Sequence, residues 1–364
     1  MSKNILIVSL NFNPGHFSHL VANYKLFEYA GYNPYLYVNA EFNKMDKNEK
    51  YKKINFANDL KKIKSIELAV FWFPSLFNIV EIIRLRVLYK STIAYVYHEP
   101  FESIIKYYNA GFSFRRILKI YFIDLISIVV ILLSHKIILP SSKAFNLFKE
   151  KYSFYNKKFT NIPLIFDDEA SNLVELNKKK YFSYIGTIAN DHAFSNYINF
   201  IELAITNQWF PNLLFLIATK SIIPNKERNI IESYLNSGRV IISEGNPMTN
   251  EEINSYYNYS LIVWNAYNRS MQSGVLPKAY MFGAAVIGSY QCDNEFLDNH
   301  KTGVLVRNNN NVNEIKGAIN EIIEKKNLFY LSSRNKFLDN FYYKKNIKKF
   351  VSLLNKNNYE KGYS

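Results

Sequence analysis

His98 and Glu99 stand side by side where the apolar run Thr92–Tyr97 ends, and Pro100 follows at once. An imidazole and a carboxylate at the carboxyl end of a strand are the groups a general acid or base uses, given a proton within hydrogen-bond reach. A third group of this kind, His16, follows the loop Asn11–Gly15, where Gly15 lets backbone approach a ligand closely. His19, one turn further on, reads as structural. The plain alternatives are a loop-positioned polar pair for His98 and Glu99, and an exposed residue starting a helix for His16.

A different chemistry is written into Trp264–Val306, WNAYNRSMQSGVLPKAYMFGAAVIGSYQCDNEFLDNHKTGVLV. A polar loop, Asn268–Ser273, leads to a short helix starting near Gly274. The helix ends at Gly283, and the apolar strand Ala284–Gly288 follows. The free N–H groups of a helix start point at whatever sits there and suit an anion. Gln272, Ser273 and Gly274 are the expected phosphate contacts, through backbone N–H and hydroxyl groups. Pro277 falls in the first turn, where a missing N–H costs little. Lys278 falls there too, against the helix dipole, a conflict that a bound phosphate would remove. Asn265 and Tyr267, just past a strand end, are weaker candidates for a sugar or base. The alternative is an ordinary loop–helix–strand unit with a solvated lysine.

The elements that must position these groups alternate. Apolar runs of β-forming residues at Ile5–Ser9, Tyr35–Val38, Leu68–Phe73, Thr92–Tyr97, Lys136–Leu139 and Asn161–Phe166 read as strands. Between them, helices are expected over Phe17–Ala30, closed by Gly31, over the polar Asn43–Lys64, over Phe101–Ser134, and from a Ser141 or Ser142 cap to Lys151. A second series begins at Tyr181–Ile185. Strands follow at Leu213–Ala218, Arg239–Ser243 and Leu261–Trp264. Helices are expected over Phe194–Asn207, Asn250–Tyr257, Asn313–Glu324 and Lys344–Leu354. This alternation implies parallel sheets with helices on both faces. A length of 364 residues fits two such domains. The expected boundaries are 1–166, a linker 167–180, 181–340, and a returning helix 341–364. Neither a GxGxxG fingerprint nor a Walker P-loop occurs. A ligand is therefore expected in a cleft between two facing domains, beyond strand carboxyl ends.

Composition narrows the setting. The chain is 48% hydrophobic, enough for two cores, and its single cysteine, Cys292, excludes an internal disulfide. No Cys/His cluster has zinc spacing. The single cysteine makes a reducing cytoplasm the expected setting, and no signal peptide is read at MSKNILIVSL. The net charge of +15 is uneven: residues 1–160 hold 23 Lys and Arg against 11 Asp and Glu, a surplus of +12. Such a surplus suits an anionic lipid surface or a phosphorylated substrate, or is a solvated lysine-rich face. No nucleic-acid module appears. Ile117–Leu133, broken by Lys119 and Asp124, is too short for the roughly 20 residues of a spanning helix and reads as buried or interfacial. Arg115, Arg116 and Lys119, with Phe112 and Phe114, form a basic-aromatic cluster suited to headgroup level, or simply a helix start with solvated cations.

Over nearly its whole length the chain resembles the GT-B glycosyltransferases, especially the large retaining nucleotide-sugar group. SLNFNPGHFSHLVANYKLFEYAGYNPYLYV looks like that family's opening strand, Gly-containing loop and first helix. AYVYHEP looks like the strand carrying a cleft His or Asp, and KIILPSS like the strand and Ser before the last helix of the first domain. YFSYIGTIANDHA looks like the start of the second domain, and PKAYMFGAAVIGSYQCDNEFLDNHKTGVLV like the donor site. The resemblance implies a first domain that binds the acceptor, with Asn13 and Gly15 on that side, and a second that binds a nucleotide-diphosphate sugar. Gly186, Thr187, His192, Pro247, Met248, Arg269, Ser270, Gln272, Ser273, Gly274 and Lys278 then fall at the donor. His16, His98 and Glu99 fall at the catalytic centre. The motif departs from the family where it usually has two glutamates, here Ser270 and Lys278. It departs again where an Arg and a Lys often hold the diphosphate, here Thr187 and His192. Arg269 and Lys278 could replace those cations.

The implied activity is transfer of a sugar to a hydroxyl of a bacterial-type surface glycan or lipid-linked saccharide. It would need no metal and no cofactor beyond the nucleotide sugar as co-substrate. The expected place is cytoplasmic, peripheral on the inner face of the cell membrane, with salt-sensitive association. Two other readings remain: a sugar-nucleotide epimerase of the same fold, and a catalytically silent partner subunit of another transferase.

Overall fold

The computed structural model describes residues 3–45, 60–152, 159–246, 248–271, 273–292 and 294–354. The chain divides into two compact units. The first takes Met1–Tyr108, Ser113–Asp167 and Asn340–Ser364, and the second Asn109–Phe112 and Asp168–Asp339. Each is an open α/β layer around a six-stranded sheet.

In the first unit the chain runs β1 (Asn4–Ser9), α1 (Phe17–Tyr29), β2 (Asn33–Val38), β3 (Leu68–Trp72), α2 (Leu76–Tyr89) and β4 (Thr92–Val96). It continues through α3 (Ile104–Asn109), α4 (Phe114–Leu133), β5 (Lys136–Leu139), α5 (Ser142–Lys151) and β6 (Phe159–Asn161). The sheet order is β2-β1-β3-β4-β5-β6 and every pairing is parallel. Ile5–Val8 and Leu68–Phe71 are wholly buried. Such unbroken apolar runs belong to strands covered on both faces. The crossover through α1 runs one way along the sheet, and those through α2 and α4 run the other. Right-handed crossovers therefore place α1 on one face and α2 and α4 on the opposite one. α2 and α4 lie side by side there, and the Arg86 guanidinium at the end of α2 donates to the Leu133 carbonyl at the end of α4 (2.9 Å).

The second unit runs β7 (Tyr181–Ile185), α6 (Phe194–Thr206), β8 (Leu214–Ala218), α7 (Asn225–Leu235), β9 (Val240–Ser243), α8 (Asn250–Tyr259) and β10 (Ser260–Asn265). It ends with α9 (Val275–Met281), β11 (Ala285–Ser289), β12 (Gly303–Val306), α10 (Val312–Glu324) and α11 (Lys326–Lys336). Its sheet, also wholly parallel, has the order β12-β11-β10-β7-β8-β9. Aromatic rings fill its core: Phe182 packs against Tyr197, Phe200, Phe215 and Trp264, and the Tyr197 hydroxyl donates to the Phe182 carbonyl (2.7 Å). The last helix among the described residues, α12 (Ile347–Val351), belongs to the first unit, where Phe350 meets Phe27 of α1 edge-on.

Several elements differ from the sequence expectation for local reasons. The helix expected over Phe101–Ser134 is two helices. Gly111 takes φ +85° between them, and Ser113 then caps α4 by accepting from the Arg116 N–H. The strand expected to reach Phe166 ends at Asn161, because Pro163 has no N–H for the ladder. Lys344–Leu354 is a short α-helix between two 3-10 turns. The Asn346 amide donates to the Asn340 carbonyl (2.8 Å), a side-chain bond that competes with helix continuation. Within Asn43–Lys64 the described residues form 3-10 turns at Ala40–Met45 and Leu60–Lys62, and the rest lies outside the described residues. α2, α7, β12 and α11 have no counterpart in the sequence expectation. α7 and α11 each bury only two residues of the helix, Glu227 with Ile231 and Phe329 with Ser333, too few for a clear period.

Gly303, in the TGVLV segment, opens β12 against β11. A Cβ there would stand 2.1 Å from the Val286 carbonyl oxygen, a backbone atom. Gly303→Ala is expected to cost about 3 kcal/mol, the upper end of overpacking. Urea unfolding checks this, and an unchanged midpoint would show that β12 yields freely.

Candidate functional site

Open parallel sheets bind ligands beyond strand carboxyl ends, where the strand order reverses. In the first unit that reversal lies between β1 and β3. His16 follows β1, and its ring stacks on Phe73, the residue after β3, at 3.7 Å between centroids and 12° between planes. On the other side Phe73 lies 6.0 Å from the ring of His98, which follows β4. The three rings thus form a row along the carboxyl ends of adjacent strands.

The loop holding His16 is knotted by Asn13. Its amide nitrogen lies 3.0 Å from His16 Nε2, and its oxygen accepts the Gly15 N–H (3.2 Å). His98 is partly buried and Glu99 exposed, with 4.0 Å between His98 Nδ1 and Glu99 Oε1. Burial lowers the imidazole pKa below its ordinary value, partly opposed by the Glu99 carboxylate. His98 is therefore neutral at pH 7, able to donate from one nitrogen and accept at the other. His19 does turn inward. It is buried, its ring lies over Trp72, and Nδ1 is 3.1 Å from the Ile165 carbonyl.

Phe73 was missed in the sequence. It holds φ +61°, the left-handed region, immediately before Pro74, and its carbonyl accepts from the Asn78 amide. A bulky residue in that region costs on the order of 1–3 kcal/mol, and such strain clusters at ligand sites. Its only sequence signal is an aromatic residue between a strand end and a proline.

In the second unit the order reverses between β7 and β10. The arrangement parallels the first: His192, after β7, stacks on Tyr267, after β10, at 4.2 Å and 11°. His192 Nδ1 lies 2.7 Å from the Thr187 carbonyl, which fixes the ring. The adjacent Asp191 carboxylate is 3.8 Å from the Arg269 guanidinium, and its carbonyl accepts the Asn268 N–H (2.7 Å). Gly186 takes φ +141°, and a Cβ there would come within 3.9 Å of Val275, the first residue of α9. Gly186, Thr187, His192, Arg269, Ser273 and Gly274 are thus gathered around the carboxyl ends of β7 and β10. Ser273 Oγ accepts the N–H of Val275, the first residue of α9 (3.2 Å). The Asn265 side-chain oxygen is buried without a partner among the described residues. Burial raises the Tyr267 phenol, so it keeps its proton and is uncharged. Ser270 is buried, and Met248 is partly buried beside Thr249, whose side chain and that of Glu252 form the capping box of α8. Pro247 and Gln272 lie outside the described residues.

Lys278 is placed differently from the sequence expectation. It is the fourth residue of the seven-residue α9, and it is buried rather than solvated. Its amine reaches Glu169 Oε1 (3.0 Å) and Asn254 Oδ1 (2.9 Å). The other Glu169 oxygen accepts from the side-chain amides of Asn254 (2.7 Å) and Asn250. Burial by itself would raise the Glu169 pKa. The Lys278 charge and these donors outweigh it and hold the carboxyl at about 2. The charge conflict expected at this helix is therefore settled by a carboxylate of the chain itself.

Among the described residues, no group of three or more His, Cys, Asp or Glu is arranged to hold a metal ion. No helix among them is long and apolar enough to cross a membrane.

No family model and no curated protein matches the chain by sequence. Solved structures do match, over almost the full length of both partners. A glycosyltransferase from Rickettsia africae shares 13% identity over 97% of this chain and 98% of its own, with a TM-score of 0.68. Anabaena HepE in complex with UDP shares 10% identity over 97% and 99%, with a TM-score of 0.66. The S. aureus MnaA–UDP co-structure shares 14% identity over 96% and 97%, with a TM-score of 0.61. The chain has the GT-B fold, built of two Rossmann-like domains.

Proposed function

We propose that the protein is a glycosyltransferase that moves a sugar from a nucleoside-diphosphate sugar to an acceptor hydroxyl. The observation that carries this reading is the end-to-end likeness to HepE, which has been solved with UDP and with UDP-glucose. The residues gathered at the β7/β10 reversal would take the donor. Ser273, Gly274 and Gly186 would approach the diphosphate with backbone groups, and Arg269 would supply positive charge. Asn265 has a buried acceptor in want of a donor and would meet a sugar hydroxyl or a base N–H. His16, His98 and Glu99 would serve the acceptor hydroxyl, with Asn13 and Gly15 shaping the loop. The acceptor is a surface glycan or lipid-linked saccharide, and the +12 surplus of residues 1–160 supports an anionic membrane or diphospholipid beside it. The leaving diphosphate would be stabilised by these donors, without a metal or further cofactor.

Isothermal titration calorimetry with UDP, GDP, ADP and TDP tests this. Binding of UDP, lost in Gly186→Val, is expected. If none of the four binds, the enzyme reading fails. A silent partner subunit is then the better account. The Lys278–Glu169 pair already favours that account, because it occupies one of the cations offered for the phosphates.

A further inference from the structure

α2 carries apolar residues on its buried and on its exposed side alike. Asn78, Ile82 and Leu85 face the sheet and are buried, yet Leu76, Phe77, Val80, Ile83, Val87 and Leu88 are all exposed. α4 repeats the pattern. Ile117, Asp124, Ser127, Val130 and Ile131 are buried, while Phe114, Leu118, Tyr121, Leu125, Val129 and Leu132 form a stripe at helical spacing on the exposed side, with Phe122 beside it. The two helices are neighbours on one face of the first sheet. Contiguous exposed apolar surface marks an interaction site.

The charges decide what covers this face. Every exposed charged residue on α2, α3 and α4 is a cation: Arg86, Lys106, Arg115, Arg116 and Lys119. The acids on α2 and α4 are withdrawn. Asp124 is buried against Lys151 and the Tyr97 hydroxyl, and Glu81 lies 3.5 Å from Arg84. Two copies meeting through this face would oppose cation to cation. An anionic lipid surface offers acyl chains to the apolar stripes and phosphates to the cations around them.

We propose that the face formed by α2 and α4 docks in the interface of an anionic membrane. Phe77, Val80, Phe114 and Phe122 would enter among the acyl chains, with Arg86, Arg115, Arg116 and Lys119 at headgroup level. The basic-aromatic cluster seen in the sequence is corrected in one member, since Phe112 is buried at 5% exposure and cannot take part. It also gains a second element, α2, that no charge pattern signalled. The proposal deepens the functional reading by naming the membrane surface. It rests on that reading only for its purpose, not for its physics.

Flotation of the full chain with phosphatidylcholine vesicles, with and without phosphatidylglycerol, tests it. The protein is expected to float with the anionic vesicles and to be released by salt. Phe77→Asp/Phe122→Asp should weaken partitioning by about tenfold or more, since exposed rings lose acyl contact. Arg115→Glu/Arg116→Glu should weaken it about tenfold or more on anionic vesicles only. All four positions are exposed, so unchanged thermal melting is expected of both variants. A wild type that does not float, or double variants that float equally well, overturns the proposal. So does a dimer in sedimentation velocity that Phe77→Asp/Phe122→Asp disperses, for it assigns the face to a second copy. UDP binding without flotation would sink the membrane proposal alone, and flotation without nucleotide binding would sink the transferase reading alone.

Discussion

Lys278→Ala is expected to lower the unfolding free energy by about 3–5 kcal/mol, because it leaves the Glu169 carboxylate buried without its cation. Both side chains are nearly inaccessible, 9% and 1% exposed, so water cannot replace the lost partner. The double variant Lys278→Met/Glu169→Gln should recover much of the loss. It removes both charges and keeps an oxygen for Asn254 and Asn250. The same pair makes the protein acid-sensitive in a defined window. The Glu169 pKa of about 2 lies below its unfolded value of 4.5, so its contribution is complete above pH 4.5 and is lost as pH falls toward 2. A drop of that size corresponds to about 3 kcal/mol. Urea midpoints between pH 2 and 6 check it, with Glu169→Gln as the variant that should lose the slope. If Lys278→Ala keeps wild-type stability, the pair is not the brace described here. If it is folded and nucleotide affinity is unchanged, Lys278 plays no part in holding phosphate.

Glu99→Gln is expected to lower kcat by about two to four orders of magnitude, the range of a general base, while leaving stability unchanged. Glu99 is exposed, so the substitution removes no packing. This holds for an inverting transferase, in which Glu99 takes the acceptor proton. In a retaining one the loss should move to His98→Ala, whose neutral ring would hydrogen-bond the sugar. Because burial lowers the His98 pKa, kcat/KM should stay level from pH 8 to below 6.5 and fall only as the imidazole protonates. A pH profile of wild type and His98→Gln measures that limb. Full activity in both Glu99→Gln and His98→Ala would remove these residues from the catalytic centre.

Much of the fold was legible because the strands are covered on both faces. Ile5–Ser9, Lys136–Leu139 and Tyr181–Ile185 are continuous β-forming runs, and that signal survives without context. The caps were legible for a similar reason. Ser141 and Thr249 act on their own first turns, through bonds that local sequence specifies. The breaks were harder. Gly111 and Pro163 each end an element by a backbone property, but an apolar run around them argued for continuation. The site was half legible. His16, His98, Gly186 and Ser273 stand out by type and by their place after strands. Phe73 does not, because its role comes from a left-handed φ and from rings that other strands bring to it.

The sequence by itself determined which segments become strands, that they alternate with helices, and which polar groups end up beyond their carboxyl ends. These follow from periodicity and turn chemistry over a few neighbouring residues. Only the tertiary structure decided partnership. It stacked His16 on Phe73 and His192 on Tyr267, each across a reversal of strand order. It turned the apolar stripes of α2 and α4 outward together. It gave Lys278 to Glu169, a residue more than a hundred positions away. Charge and ring pairing depend on distance in space, and the strand order that sets that distance is not encoded near the residues it joins.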